Sequence, residues 1–171
     1  PCTCDVALFY HSVDSIHWTH RSHIATEGSA LATARGNDTI GLAEPCIVEL
    51  KDGRILAVFR ALKHTPLWKA ISSTRGSSWS ALTPMPEAFS VSPSLAVLGH
   101  GAVVLVSGRP GNGLWVNWAG DGESWEPYHN LCAAWNRAET DPARHYCAEL
   151  AAVNRSNRYT MRVDGCTTTT S

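Results

Sequence analysis

Hydrophobic residues along this chain form short runs that are paired around polar or glycine-rich turns. Residues 46–60, CIVELKDGRILAVFR, place an apolar run on each side of an Asp-Gly pair at 52–53, and both central positions of such a hairpin turn favour positive φ. Residues 94–109 repeat this plan around 99–101, and residues 150–163 repeat it around a polar turn. The turns recur about every 50 residues, and no segment between them shows a sustained helical period. The pattern predicts an all-β array of hairpins.

A second pattern recurs with the hairpins: a tight polar turn that ends in a tryptophan. Three segments show it, namely SSTRGSSW at 72–79, GDGESW at 120–125 and, in a shorter and weaker form, SVDSIHW at 12–18. We expect polar side chains to cap the backbone of each turn while the indole is buried between neighbouring strands. A repeat of about 50 residues with several short strands favours a β-propeller blade, and a β-sandwich is the alternative.

These turns resemble the Asp-box, S-x-D-x-G-x-[ST]-W, of sialidases and related propellers. Thr74 stands where the box has Asp, Trp118 replaces the Ser of the last box, and the first box is one residue short. Residues 41–60 are similar to a sialidase segment in which a Glu precedes a hairpin that ends in Arg. The resemblance covers roughly residues 8–164. It implies an incomplete sialidase-like β-propeller with about three of six blades, because a full ring needs on the order of 300 residues.

The same resemblance divides the chain into three parts. We expect residues 1–40 to form a degenerate N-terminal portion of a blade, residues 41–165 to form the sialidase-like blades, and residues 166–171 to be a disordered tail. The chain begins at Pro1 with neither a Met nor a signal peptide, which indicates a processed or truncated product. Because an incomplete ring leaves unpaired strand edges and an open mouth, we predict that these residues alone lack sialidase activity.

Four residues occupy related positions around the hairpins. Glu44 lies just before the first hairpin, and Arg60 ends its second strand. Arg109 holds the same place one repeat later, and Tyr146 lies ahead of the third hairpin. Because the blades of a propeller radiate from one axis, residues at equivalent points of successive repeats converge on a shared mouth. These four residues form the candidate site.

The resemblance to sialidases implies a role for each of the four. Arg60 and Arg109 correspond to two of three arginines that bind the carboxylate of sialic acid, a contact that a planar guanidinium makes bidentately. Tyr146 corresponds to the nucleophile and Glu44 to the group that polarises it, with attack on the anomeric carbon and retention of configuration. A phenol suits an anionic sugar, which a carboxylate nucleophile would repel. No residue of 1–40 matches the family's first arginine or its acid/base aspartate.

Each candidate also has a purely structural interpretation. Glu44 precedes Pro45 and can simply end a loop in extended backbone, Arg60 and Arg109 can be exposed charges, and Tyr146 can be a half-buried strand tyrosine. Asp-boxes occur in non-enzymatic propellers too. The hypothesis is an exo-sialidase-type glycoside hydrolase, or part of its catalytic domain. The alternative is a non-catalytic sialidase-like propeller that binds glycans or proteins.

The amino-acid composition argues against two classes of partner, nucleic acids and membranes. The chain has 171 residues, of which 44% are hydrophobic and 17% charged, and its net charge of −1 without a basic stripe argues against nucleic-acid binding. Its apolar runs are too short to span a membrane. We expect a sialylated glycan or a related anionic carbohydrate as partner, and no cofactor. The compartment stays open, with a secreted or lumenal one favoured.

Other polar clusters are given structural interpretations. His17, His20 and His23 follow one another at three-residue steps, so on a strand they would not share one face. We predict solvated loop histidines there and no metal site, and the six cysteines follow no paired C-x-x-C zinc pattern. A basic cluster is interpreted as a solvated edge and consists of Lys63, His64, Lys69 and Arg75.

Overall fold

The structure is a computed structural model that describes residues 7–25, 41–61, 65–88, 90–108, 113–141 and 144. Within these ranges the chain forms antiparallel strands and one short helix. The strands are Ala7–His11 (β1), Thr19–Ala25 (β2), Leu42–Glu49 (β3), Ile55–Ala61 (β4), Leu67–Ser72 (β5), Thr83–Met85 (β6), Ser94–Val97 (β7), Val103–Ser107 (β8), Gly113–Asn117 (β9) and His129–Asn130 (β10). The helix is Leu131–Ala138 (α1).

The strands form three sheets that follow one another along the chain. The first is the β1–β2 hairpin, and the other two are four-stranded meanders with the orders β3-β4-β5-β6 and β7-β8-β9-β10. The hairpins predicted at 46–60 and 94–109 are confirmed, because β3 pairs with β4 and β7 pairs with β8. The third predicted hairpin, at 150–163, lies outside the described residues.

The three sheets stack face to face and enclose two cores. The core between the first and second sheets contains Ala25, Ala57, Phe59, Trp68 and Leu82. The core between the second and third sheets contains Leu56, Val58, Leu67, Leu105 and Trp115. Both faces of the second sheet are therefore covered, which explains why β4 is apolar at almost every position rather than at alternate ones. Stacked four-stranded meanders are the blades of a propeller, as the sequence predicts.

Each polar turn is capped by one of its own side chains, also as predicted. In the second sheet the N–H of Ser78 donates to Thr74 Oγ1 at 2.8 Å, so a hydroxyl caps this turn. In the third sheet the N–H of Glu123 donates to Asp121 Oδ1 at 2.8 Å. This hydrogen bond, together with one from the side-chain amide of Asn117, holds the pKa of Asp121 below its ordinary value.

The turn between β1 and β2 follows the same rule. Asp14 Oδ1 accepts the N–H groups of Ile16 at 2.9 Å and His17 at 2.8 Å, and Asp14 Oδ2 lies 2.7 Å from His17 Nδ1. These contacts, led by the one with the His17 side chain, lower the pKa of Asp14 strongly. The turn at residues 12–18 is therefore capped by a carboxylate.

The tryptophans after the turns differ in burial. Trp125 is only 9% exposed, and Trp79 packs edge-on against the ring of Phe9 at a centroid distance of 5.4 Å. Trp18 is 63% exposed, so the expectation that its indole is buried is wrong. Trp18 directly precedes β2 of the first sheet, and no described sheet covers the outer face of that sheet. The turns that end in Trp79 and Trp125 each pack against a neighbouring sheet.

Helix α1 was not indicated by the sequence pattern. Asn130 caps its N-terminus by accepting the N–H of Ala133 at 2.8 Å, and Arg137 lies in its last turn, where a cation is favourable. At eight residues the helix is too short for a 3.6-residue period to stand out. No helix within the described ranges is long and apolar enough to cross a membrane.

The basic cluster is only partly a solvated edge. Lys69 is 7% exposed and lies on the face of β5 that packs against the third sheet, so its predicted exposure is wrong. Its Nζ donates to the carbonyl oxygen of Gly122 at 2.7 Å and pairs with Glu123 Oε2 at 2.5 Å. A buried ammonium is tolerated here because its donors are taken up by the next blade's turn. Arg75 is exposed as expected, and Lys63 and His64 lie outside the described residues.

The histidines near the N-terminus also differ from expectation. Phe9 pairs with Ser22 while Tyr10 pairs with His20, so Arg21 is an extra residue in β2 and forms a bulge. This bulge brings His20 and His23 to one face, with ring centroids 5.0 Å apart. The prediction that histidines three residues apart would not share a face is wrong for this pair, which is exposed but lies on a strand.

Candidate functional site

The candidate site begins at an irregularity in β3. Ala43 pairs with Arg60 and Cys46 pairs with Val58, so Glu44 and its neighbour lie at a break in the regular ladder. Glu44 has a φ of 49°, a left-handed conformation that is strained for a residue other than glycine. The interpretation of Glu44 as an ordinary loop end in extended backbone therefore does not hold.

The Glu44 carboxylate joins two blades. Arg60 Nη1 donates to Glu44 Oε1 at 2.8 Å, and the backbone N–H of Ser92 donates to Glu44 Oε2 at 2.6 Å. Ser92 also has positive φ, at 54°, so both ends of this contact use unusual backbone. The two donors fix the orientation of the carboxylate.

The site lies where the inner edges of two sheets meet. β3 and β7 are edge strands of their sheets, and the N–H of Leu95 on β7 donates to the Cys46 thiol on β3 at 3.1 Å. Glu44 is near the start of β3, Arg60 near the end of β4, and Ser92 just ahead of β7. All three are therefore at one end of adjacent blades, the position at which a propeller forms its mouth.

The structure brings together two of the four predicted site residues. Glu44 and Arg60 are in direct contact, and their side chains are 32% and 25% exposed, so the pair is reachable from solvent. Arg109 and Tyr146 lie outside the described residues, and their roles stay predictions. Gly108 donates its N–H to the carbonyl oxygen of Val91 at 3.0 Å, which holds Gly108 close to the residue before Ser92.

Ser92 is a site residue that sequence reasoning missed. It contributes a backbone N–H, and any residue except proline carries that group. Its positive φ has no glycine or asparagine to signal it. Nothing in the local sequence indicates that this amide faces the carboxylate of a residue 48 positions earlier.

The arrangement can bind an anion. A guanidinium has five N–H donors in a planar fork, and among the described residues the side chain of Arg60 donates to Glu44 alone. The other edge of the fork can therefore take a carboxylate in the bidentate geometry. The described part of the chain contains no group of three or more His, Cys, Asp or Glu residues that could hold a metal ion.

Comparison with known proteins identifies the fold. No protein-family model matches the chain, and no curated protein matches it. Among solved structures, a protein of unknown function from Dyadobacter fermentans is similar with a TM-score of 0.57 at 16% identity, over 71% of this chain and 32% of that one. The GH43 protein BlXynB from Bacillus licheniformis has a TM-score of 0.56 at 21% identity, over 72% and 26% of the two chains.

A sialidase is also among the similar structures. NanB sialidase from Streptococcus pneumoniae has a TM-score of 0.50 at 21% identity, over 74% of this chain and 20% of that one. At these identities the likeness shows the fold alone, and the chain spans between a fifth and a third of the length of the three solved chains. The chain therefore has an incomplete propeller fold of the type found in glycosidases.

Proposed function

We propose that the chain is part of a sialidase-like glycoside hydrolase that removes terminal sialic acids from glycans. The observation that carries this proposal is the pairing of Glu44 with Arg60 at 2.8 Å, at the mouth end of two adjacent blades. Glu44 holds one edge of the guanidinium and thereby presents the other edge to a substrate carboxylate. A site built in this way favours a sugar that carries a negative charge.

The proposed chemistry assigns the four predicted residues as follows. Arg60 and Arg109 bind the carboxylate, and Glu44 polarises the phenol of Tyr146 and accepts its proton. The phenolic oxygen then attacks the anomeric carbon as the bond to the leaving oxygen breaks, and water later releases the sugar with net retention. The proton for the leaving oxygen comes from an acid outside these four residues. NanB, a sialidase by name, and BlXynB, a GH43 protein by name, have similar folds, which supports a carbohydrate substrate.

One observation favours a second function, a non-catalytic propeller that binds glycans. Both oxygens of Glu44 are already engaged, one by Arg60 and one by the N–H of Ser92. A carboxylate that is held by two donors in this way can have a structural role and hold two adjacent blades together. In that case Arg60 still binds an anionic sugar, but no bond is broken.

Substitution of Arg60 tests the proposal. In the protein expressed from its full reading frame, Arg60→Lys removes the planar fork and keeps the charge, so kcat/KM for a fluorogenic sialoside is expected to fall by about 100-fold. Arg54→Lys is the matched control, because Arg54 is paired with Asp52 at 2.7 Å at the opposite end of β4. We expect Arg54→Lys to leave kcat/KM unchanged.

Binding of sialyllactose, measured by saturation-transfer NMR, separates the two functions. Binding that depends on Arg60 without any turnover supports the non-catalytic propeller. The absence of both binding and turnover in a folded protein contradicts both functions, as does a loss of the same size in Arg54→Lys.

A further inference from the structure

The outer face of the first sheet carries a pair of histidines that the candidate site does not use. His20 and His23 lie side by side in β2 with ring centroids 5.0 Å apart, and the ring of Tyr10 is 5.5 Å from that of His20. All three side chains are exposed. They lie on the opposite face of the hairpin from Phe9, which packs against the ring of Trp79.

The bulge at Arg21 creates this pairing. In a regular strand, side chains three residues apart point to opposite faces. The extra residue in the bulge shifts this pattern by one position, so the side chains of His20 and His23 point to the same face. His20 lies opposite Tyr10 on β1, and His23 lies opposite Leu8. Bulges commonly serve to re-aim a side chain. Here the bulge places two imidazoles next to each other in the part of the chain that no described sheet covers.

From this geometry we propose that His20 and His23 chelate a divalent transition-metal ion of the class that prefers imidazole, such as Zn²⁺ or Cu²⁺. At metal–nitrogen distances of about 2.0–2.1 Å and a roughly tetrahedral angle, the centres of two ligating imidazole rings lie roughly 5 Å apart. The observed separation of 5.0 Å matches that requirement. The site has two protein ligands, and water completes the coordination sphere.

The edge-to-face arrangement of the two rings does not oppose binding. The interplanar angle is 68°, and each ring must turn about its Cβ–Cγ bond to aim a nitrogen at a shared ion. That torsion is broad for histidine, and exposure leaves both rings room to turn. The separation of the two ring centroids, which the bulge makes possible, is therefore the property that decides whether chelation is possible.

Calorimetric titration of the 171-residue chain with Zn²⁺ tests the proposal. We expect one binding event, and we expect His20→Ala and His23→Ala each to weaken it by about tenfold or more, because a single imidazole cannot chelate. His100→Ala is the matched control, since His100 is also exposed but stacks on Trp118 rather than on a second histidine. Far-ultraviolet circular dichroism checks that each variant is folded.

Paramagnetic broadening by substoichiometric Cu²⁺ provides a second measurement. We expect the Hε1 resonances of His20 and His23 to broaden first and that of His100 to persist. Equal broadening of all three resonances overturns the proposal. So does Zn²⁺ affinity that is the same in His20→Ala, His23→Ala and the unaltered chain.

Discussion

Lys69 crosses from the second sheet to the third and ends against the backbone of the last polar turn. Its ammonium donates to the carbonyl oxygen of Gly122 at 2.7 Å, and its partner Glu123 has a side chain that is 58% exposed. Burying the ammonium costs desolvation free energy, and the hydrogen bond to the Gly122 carbonyl offsets most of it. The ion pair with Glu123 contributes less, because the carboxylate is exposed and well solvated. The Lys69 side chain thus links the second sheet to the third.

Replacing Lys69 separates these two contributions. Lys69→Met keeps the apolar stem and removes the ammonium, so the carbonyl of Gly122 loses its charged donor and the free energy of unfolding is expected to fall by about 1–3 kcal/mol. Glu123→Gln removes only the charge of the exposed partner, with an expected loss of about 0–1 kcal/mol. Urea unfolding measures both variants. Equal losses in the two variants would show that the ion pair, and not the carbonyl contact, dominates.

Two residues of the candidate site have strained backbone and contact each other. Glu44 and Ser92 both have positive φ, and the N–H of one donates to the carboxylate of the other. Strained backbone persists only where surrounding contacts hold it, and it concentrates at functional sites. In this conformation the Glu44 carboxylate contacts Ser92 in the next blade and Arg60 in its own blade.

At the scale of elements, the polar turn of the second sheet is fitted to the first sheet. Gly76 in this turn has a φ of 78°, and a Cβ at this position would overlap the ring of Phe9 on β1. The hydroxyl of Ser22 on β2 lies at the same contact, where it donates to the Gly76 carbonyl oxygen at 2.5 Å and accepts from Trp79 Nε1 at 3.0 Å. The β1–β2 hairpin is docked on this turn.

Substitution of Gly76 tests that docking. Gly76→Ala is expected to lower the free energy of unfolding in two ways. Holding alanine at a positive φ costs about 1–2 kcal/mol. The overlap of its Cβ with the Phe9 ring costs about another 1–3 kcal/mol. Gly53→Ala is the matched control, because Gly53 has a φ of 84° and open space around it, so only the first part applies. Thermal or urea unfolding compares the two variants.

A double-mutant cycle provides the check on this assignment. In a Phe9→Ala background the excess cost of Gly76→Ala over Gly53→Ala is expected to disappear, since the obstructing ring is gone. An excess that survives in this background would contradict the assignment to Phe9.

The elements that the sequence predicted are those that depend on local chemistry. The Asp-Gly pair at 52–53 predicted the β3–β4 hairpin, and the positions of Glu44 and Arg60 around that hairpin predicted their proximity. The contact with Ser92, the bulge at Arg21 and the short helix α1 depend on pairing between distant residues or on a pattern too short to read. Local sequence carries no signal for these features.

At the scale of the whole molecule, the described residues cover both faces of the second sheet but only one face of the first sheet and one face of the third. The outward face of the first sheet exposes Leu8 at 47%, and that of the third sheet exposes Val106 at 37%, whereas Val58 between them is fully buried. The described sheets therefore form a stack with two uncovered ends. The described sheets are too few to close a ring, so in this stack Glu44 and Arg60 line only part of a mouth.

This openness predicts that the isolated 171-residue chain binds sialosides weakly and does not hydrolyse them. Charge that develops in the transition state is stabilised by groups fixed in a site from which water is excluded, and the described sheets do not close such a site. Release of the fluorogenic aglycone by the isolated chain should equal the background rate. Turnover by the isolated chain that is lost in Glu44→Gln would contradict this prediction, because catalysis would then not require a closed ring.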